Sequence, residues 1–264
     1  MKIATWNINS VRHRIGLVTR FLRTAQPDVL ALQETKVTND LFPAAPLKAL
    51  GYVHQAVHGQ KAYHGVAVLS RLPFRETRSE DFCREGHARH VAVTFETGLE
   101  LHNFYVPAGG DIPDPKANPK FDHKLHFLGG MERFFARLRH RRGDPVMLLG
   151  DLNIAPLEND VWSHRQLLDV VSHTPAETRL LGEVQAAFDW TDATRSVVPP
   201  EEKIYSWWSY RAQDWDASDR GRRLDHVWLS PGLKGALRSH TILRKMRGWQ
   251  KASDHVPVVV ELDV

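Results

Sequence analysis

Eight apolar runs, each five to eight residues long, recur along the chain and set the terms on which it can fold. They are "KIATWNI" (2–8), "VLALQE" (29–34), "VAVLS" (66–70), "HVAVTFE" (90–96), "LELHNFYV" (99–106), "VMLLGDLN" (146–153), "LDHVWLS" (224–230) and "VPVVVEL" (256–262). Runs of this length, rich in β-branched and aromatic residues, read as strands. Helical patterns lie between them. "RIGLVTRFLRTA" (14–25) places apolar residues at three- and four-residue intervals and stops before Gln26-Pro27. "FDHKLHFLGGMERFFARLRHRR" (121–142) does the same, and "ENDVWSHRQLL" (158–168) is a shorter case. Strands interleaved with helices predict a layered α/β protein. The proline-rich "DIPDPKANPK" (111–120) reads as a loop. No Gly/Ser/Pro-rich linker divides the chain, so one domain over 1–264 is expected.

Two of the runs end alike. "IATWNIN" and "LLGDLNI" each finish in an Asn or Asp, one residue, then an Asn. Residues i and i+2 of a strand share a face, so Asn7 pairs with Asn9 and Asp151 with Asn153. The likeness hints at two similar halves that present polar groups at one end of the core.

The bulk numbers narrow the setting. A single cysteine, Cys83, forms no internal disulfide and points to a reducing compartment. "MKIATWNINS" lacks the charged-then-apolar pattern of a signal peptide, and no apolar run approaches ~20 residues. A soluble, cytoplasmic monomer with no membrane partner is expected. The net charge of +4 and pI of about 9.2 are as compatible with a polyanionic partner as with a slightly basic enzyme.

Polar residues stand where the apolar runs end: Asn7, Glu34 in "LQETK", Tyr105 in "NFYVP", Asp151 and Asn153, Asp225 in "RRLDHVWLS", and Asp254-His255 in "SDHVP". Any one of them is ordinarily a turn former or a cap. Together they offer oxygen donors, an imidazole and a phenol, with no thiolate. Such donors suit Mg²⁺, with Mn²⁺ as an alternative, better than zinc. A hard divalent ion with carboxylates and a histidine is the equipment of phosphate-ester chemistry. Asp225 and His255 further fit an acid–histidine pair, in which the carboxylate sets the tautomer and raises the imidazole pKa. A core histidine bonded to a carbonyl is the plainer reading. No Gly-x-x-x-x-Gly-Lys-Ser/Thr phosphate loop and no Gly-x-Ser-x-Gly elbow is present.

"TWNINS", "LQETK", "GDLNIAP", "YSWWSYR", "GRRLDHVWLS" and "SDHVPV" occur in the order and spacing of one family. On these motifs, from Ile3 to about Val260, the chain resembles the exonuclease III family of AP endonucleases. The resemblance implies a DNase I-like four-layer α/β sandwich, two β-sheets flanked by helices. It also implies a Mg²⁺-dependent nuclease acting on double-stranded DNA at abasic sites or 3′ ends. Glu34 would be the main metal ligand, with Asn7, Asp151, Asn153, Asp254 and His255 in the metal region. Asp151 would move the proton of the attacking water or leaving oxygen, and Asn153 would orient the nucleophile. His255, oriented by Asp225, would bind the scissile phosphate, and Tyr105 would hydrogen-bond it. Asn9 stands where some relatives carry an aspartate.

"YSWWSYRAQDWDASDRGRR" (205–223) interleaves aromatics with arginines, a pattern suited to bases and phosphates. Trp207 and Trp208 also fit a strand with one ring buried and one exposed. The resemblance implies that Trp207 walls an abasic pocket. It implies an apolar residue where Arg222 stands, with Leu224 as the remaining apolar wall. In "EGHARHVAVTF" (85–95), longer than the matching stretch of many relatives, Arg89 is the candidate phosphate contact. Arg12, His13 and Arg14 read equally as backbone contacts to DNA or as a charged helix start, and "RHRR" (139–142) as a solvated helix end. Two other readings compete: a small-molecule or lipid phosphodiesterase of the same superfamily, and a non-catalytic DNA-binding scaffold.

Overall fold

The structure, a computed structural model, describes residues 1–82 and 85–264. Cys83, on which the redox expectation rests, lies outside the described residues. Fourteen strands are described: β1 Lys2–Asn7, β2 Val29–Gln33, β3 His54–His58, β4 Val66–Ser70, β5 Phe74–Arg78, β6 His90–Phe95, β7 Glu100–Tyr105, β8 Val146–Asp151, β9 Thr191–Asp192, β10 Trp207–Trp208, β11 Gly221–Arg222, β12 Asp225–Leu229, β13 Leu237–Ile242 and β14 Val258–Leu262. The helices are α1 Ile15–Ala25, α2 Ala44–Lys48, α3 Pro119–Arg137, α4 His164–Leu167, α5 Pro175–Ala187 and α6 Trp215–Ser218.

Two six-stranded sheets carry the fold, in the orders β13-β14-β1-β2-β4-β3 and β9-β12-β8-β7-β6-β5. Strand by strand they pair in the same senses. β1 runs parallel to β2 and antiparallel to β14, and β8 runs parallel to β7 and antiparallel to β12. The outer neighbours are antiparallel in both sheets. The two like-ending runs are thus the central strands of two matching halves.

The sheets pack face to face through Ile3, Ala31, Val68, Val93, Leu101, Leu149, Val227 and Val260. The alternate residues turn outward. Trp6, Leu30 and Leu32 meet Val18, Phe21 and Leu22 of α1, while Phe104 and Leu148 meet Phe127, Met131 and Phe135 of α3 and Leu181 and Val184 of α5. Both faces of the central strands are covered, which is why they read as continuous apolar runs. This is the four-layer sandwich.

A polar seam joins the sheets just beneath one end. Gln33 Nε2 donates to Thr5 Oγ1 (2.9 Å) and Asn103 Oδ1 (2.7 Å), and Asn103 Nδ2 donates to the carbonyls of Leu32 and Ala67. Buried amide donors paired in this way fix the relative height of the two sheets.

Three boundaries differ from the sequence reading. α3 starts inside the proline-rich loop, because Asn118 caps it by accepting from Lys120 N (3.0 Å) and Pro119 takes the first turn. It ends at Arg137, and 139–141 form a separate 3₁₀ turn in which Arg139 pairs with Asp189. The segment 158–168 is not one helix. Asp160 is drawn to Arg223 and Arg195, and Val161 is extended and bridges to Arg222, leaving a 3₁₀ turn and the four-residue α4. Among the described residues no helix is long and apolar enough to cross a membrane.

Candidate active site

The matching halves bring their central strand ends together. β1 ends in Asn7 and β8 in Asp151; beside them β2 runs into Glu34 and β7 ends in Tyr105. Asn7 Nδ2 donates to Glu34 Oε1 (2.9 Å) and Asp151 Oδ2 (2.8 Å), so one amide spans both sheets. The glycine before Asp151 is required by the close pairing of β8 with β7. Gly150 has φ +133°, and a Cβ there would lie 2.0 Å from the Phe104 carbonyl.

Asn9 and Asn153 sit past the strand ends, not within them. Both are left-handed, φ 48° and 54°. Asn9 N donates to Asn7 Oδ1 (3.0 Å) and Asn153 N to Asp151 Oδ1 (2.9 Å). The repeated (Asn/Asp)-x-Asn therefore encodes the same side-chain-capped turn twice. Asn9 then bridges Lys36 Nζ (2.6 Å to its Oδ1) and Asp254 (3.1 Å from its Nδ2). Asn153 uses its amide N–H groups on Val106 O (2.9 Å) and Asp151 Oδ2 (3.1 Å), which leaves Oδ1 for a further partner.

Asp225 opens β12 directly opposite Asp151. Its Oδ2 accepts from Ser206 Oγ (2.7 Å) and pairs with His255 Nδ1 (2.8 Å), and His255 Nε2 lies 3.7 Å from Asp151 Oδ2. His255 is held by its backbone: Trp6 Nε1 donates to its carbonyl (3.1 Å). Buried Lys124 secures the loop after β8, donating to the carbonyls of Asn153 (2.8 Å) and Ala108 (3.2 Å) and pairing with Glu177, which also closes the capping box of α5.

Burial and charge set the protonation states. Burial alone would lower the His255 imidazole, but Asp225 and Asp151 outweigh it and raise the pKa to about 10. Burial, with the charges of Asp225 and Glu34, pushes Asp151 up to about 7 against the pull of His255. Burial also works to raise Glu34, yet Lys36, 2.7 Å from its Oε2, brings it below its ordinary value. For Asp254, the His255 charge and donors from Asn9 and Trp207 overcome burial and lower it. Burial, with Glu34 and Asp151 nearby, lifts the Tyr105 phenol well above its ordinary value.

Asp151, Asp225 and His255 have the spacing of a metal-binding group. An imidazolium between two carboxylates offers no lone pair, however, so His255 acts here as a donor and the carboxylates are the candidate ligands. Asn7 is likewise a donor to both carboxylates here, with its Oδ1 on the Asn9 backbone. The surroundings still fit a divalent ion. Four carboxylates (Glu34, Asp151, Asp225, Asp254) stand with two cations (Lys36, His255), and Asp225 Oδ1 is buried without a hydrogen-bond partner.

The network opens on a cleft of about 710 Å³ lined by Glu34, Asn153, Trp162, Trp207, Arg211, Arg220, Arg222, Leu224 and His255. Trp207 is half-buried with Nε1 on Asp254 Oδ2 (3.0 Å), and Trp208 is buried. Arg222 is tied to the wall: it donates to Val171 O (2.9 Å) and Ser172 Oγ (2.7 Å) and lies over Trp207. Arg220 covers the Trp162 ring at 4.7 Å. Arg89 is 6% exposed and packs over Tyr105, so it faces a ring and not an open phosphate position. Arg14 donates to Lys251 O and Tyr210 Oη, as a tie between segments. Lys36, Lys124, Trp162 and Arg220 were not singled out from the sequence. Lys36 lies within the quoted "LQETK"; Lys124 and Glu177 are 53 positions apart and carry no local signal.

Two sheets converge on an Asp–His–Asp–Asn–Glu network at the floor of the cleft, the layered architecture of a phosphoesterase-like hydrolase. The chain belongs to the Endonuclease/Exonuclease/phosphatase family, which matches residues 4–255, and within it to the exodeoxyribonuclease III group. It is 30% identical to exodeoxyribonuclease III of Haemophilus influenzae, with 99% of each chain covered. The 3′ phosphatase NExo from Neisseria, solved with a product DNA hairpin, superposes with a TM-score of 0.91 at 32% identity over 100% of both chains. An AP endonuclease from Archaeoglobus fulgidus gives 0.91 at 29% identity, again over 100% of both.

Proposed function

We propose that this protein is a divalent-metal-dependent DNA repair nuclease, with Mg²⁺ as the ion, that cuts the phosphodiester 5′ to an abasic site. The same centre would trim 3′ ends as a 3′–5′ exonuclease and 3′ phosphatase. The observation that carries this reading is the unbroken chain Asp225–His255–Asp151–Asn7–Glu34 at the floor of an arginine- and tryptophan-walled cleft.

Near pH 8, Asp151 with a pKa of about 7 is ionised and His255 with a pKa of about 10 is charged. Asp151 takes the proton of the attacking water. Asn153 Oδ1 orients that water. His255 presents a charged N–H to a phosphoryl oxygen, held in line by Asp225, and such donors gain most when fixed beforehand. Tyr105, a neutral phenol, hydrogen-bonds the phosphate. Glu34 and Asp254 are the residues that would hold the metal. When bound, the metal supplies positive charge for the phosphate oxygens and leaving group. Trp207, Leu224 and the guanidinium of Arg222 wall the sugar pocket. Arg211 and Arg220 meet backbone phosphates.

The test is cleavage of a duplex carrying a tetrahydrofuran abasic analogue. EDTA should abolish it, and Asp151→Asn and His255→Ala should each lose at least ~100-fold, the usual share of a positioned acid–base group. Activity retained in EDTA, or near-normal rates in both variants, would overturn the proposal. Cleavage of a lipid-headgroup phosphodiester in preference to DNA would favour the lipid reading.

A further inference from the structure

Beside Tyr105 lies a group of imidazoles that this reaction does not use. His64 and His87 have ring centroids 4.6 Å apart, His87 and His123 are 5.5 Å apart, and His64 is 6.2 Å from the Tyr105 ring. Glu85 joins them, with Oε2 3.3 Å from His87 Nε2. One donor atom from each of Glu85, His87 and His123 lies within 4.8 Å of the others. Two ring nitrogens in this group, His87 Nδ1 and His123 Nε2, are shut off from solvent and meet no hydrogen-bond partner. Leaving a buried nitrogen unsatisfied is unfavourable, and two in one small cluster call for an occupant.

We propose that Glu85, His87 and His123 form a binding site for one transition-metal divalent ion, with Zn²⁺ as the best fit, separate from the Glu34 site. The donor set decides the class of ion. Two imidazoles and a carboxylate, with a fourth position for water, suit Zn²⁺ and its neighbours, whereas Mg²⁺ takes oxygen ligands. An ion about 2.0–2.2 Å from each donor spans separations up to ~4 Å, so small side-chain movements close the set. The site joins two elements. Glu85 and His87 lie on the segment entering β6, and His123 lies in the first turns of α3. The same entering segment carries Arg89, packed on Tyr105. A bound ion would clamp that segment to α3. It is a positioning role, with no ligand shared with the reacting atoms. Sequence reading missed the site because its histidines are 36 positions apart.

The experiment is metal titration of metal-stripped protein, read by calorimetry with Zn²⁺ and by visible absorption with Co²⁺. The wild type and Glu34→Gln should both bind the ion and show Co²⁺ ligand-field bands. The His87→Ala/His123→Ala variant should lose those bands and one Zn²⁺ equivalent, and Glu85→Gln should weaken binding ~10-fold or more. Unchanged stoichiometry and spectra in the double variant, or bands lost in Glu34→Gln instead, would overturn the site. X-ray absorption on the one-equivalent zinc adduct of the wild type needs no variant to fold. It should show two imidazoles on the zinc, and a shell with no imidazole would overturn the proposal.

Discussion

Replacing Asp225 by Asn removes a charge from the site while keeping the shape and an acceptor for His255 Nδ1. In the wild type the imidazole is raised from 6.5 to about 10, with Asp225 the largest of the raising influences. If Asp225 carries about half of that rise, the variant imidazole drops by roughly 2 pH units, about 2.7 kcal/mol at ~1.36 kcal/mol per unit. The sign follows directly. His255 acts as a cation, so activity is lost as pH rises through its pKa, near 10 in the wild type and near ~8 in the variant. At pH 7 both imidazoles are charged, and the variant suffers from poorer orientation, partly offset because losing the Asp225 charge lowers Asp151 and leaves more of it ionised. By pH 9 most variant molecules have lost the proton, and the wild-type-to-variant rate ratio should have grown by a further ~10-fold. The assay is incision of the abasic-analogue duplex at saturating Mg²⁺ from pH 6.5 to 10, with the His255 Cε1 proton followed by NMR. A rate ratio flat across pH 7–9.5, or an unmoved NMR titration, would refute the coupling.

Two further outcomes are expected. Lys124→Met leaves Glu177 buried without its cation, held only by Ser172 and Thr174, and should cost about 3–5 kcal/mol in urea unfolding. Lys124→Met/Glu177→Gln should recover part of the loss, and a single-variant loss under 1 kcal/mol would contradict the buried pairing. Arg222→Leu removes a guanidinium anchored to Val171 and Ser172 and opens the wall beside Trp207. It should raise abasic incision relative to 3′-exonuclease rate by up to ~10-fold, the scale at which pocket shape discriminates. A constant ratio measured on the two substrates would remove Arg222 from the pocket's specificity.

The sequence carried the central strands because they are buried on both faces, and all eight expected runs became strands. It did not reveal β3, β5 and β13. "FRETR" and "LRSHTI" are edge strands whose exposed faces carry charged and polar residues, the composition that keeps an edge from pairing further. α5 was legible in principle, since Thr174 and Glu177 form a capping box, but "PAETRLLGEVQAA" has a weak apolar stripe and was passed over. The polar strand ends come together in the fold as a group, because the residues that terminate buried strands on one side of two sheets must meet. What they could not give was partner choice. That Asn7 donates to both carboxylates, that Lys36 sits on Glu34 and that Arg222 is tied back to the wall depend on contacts between distant segments.

The account turns on a divalent ion held at Glu34 beside Asp151. Anomalous diffraction from crystals grown with Mn²⁺ and an abasic duplex measures this directly. An anomalous peak within coordinating distance of the Glu34 carboxylate and of a phosphate oxygen, with Lys36 displaced from Oε2, is the predicted result. Bound DNA with no peak at Glu34 and the Lys36–Glu34 ion pair intact would contradict it.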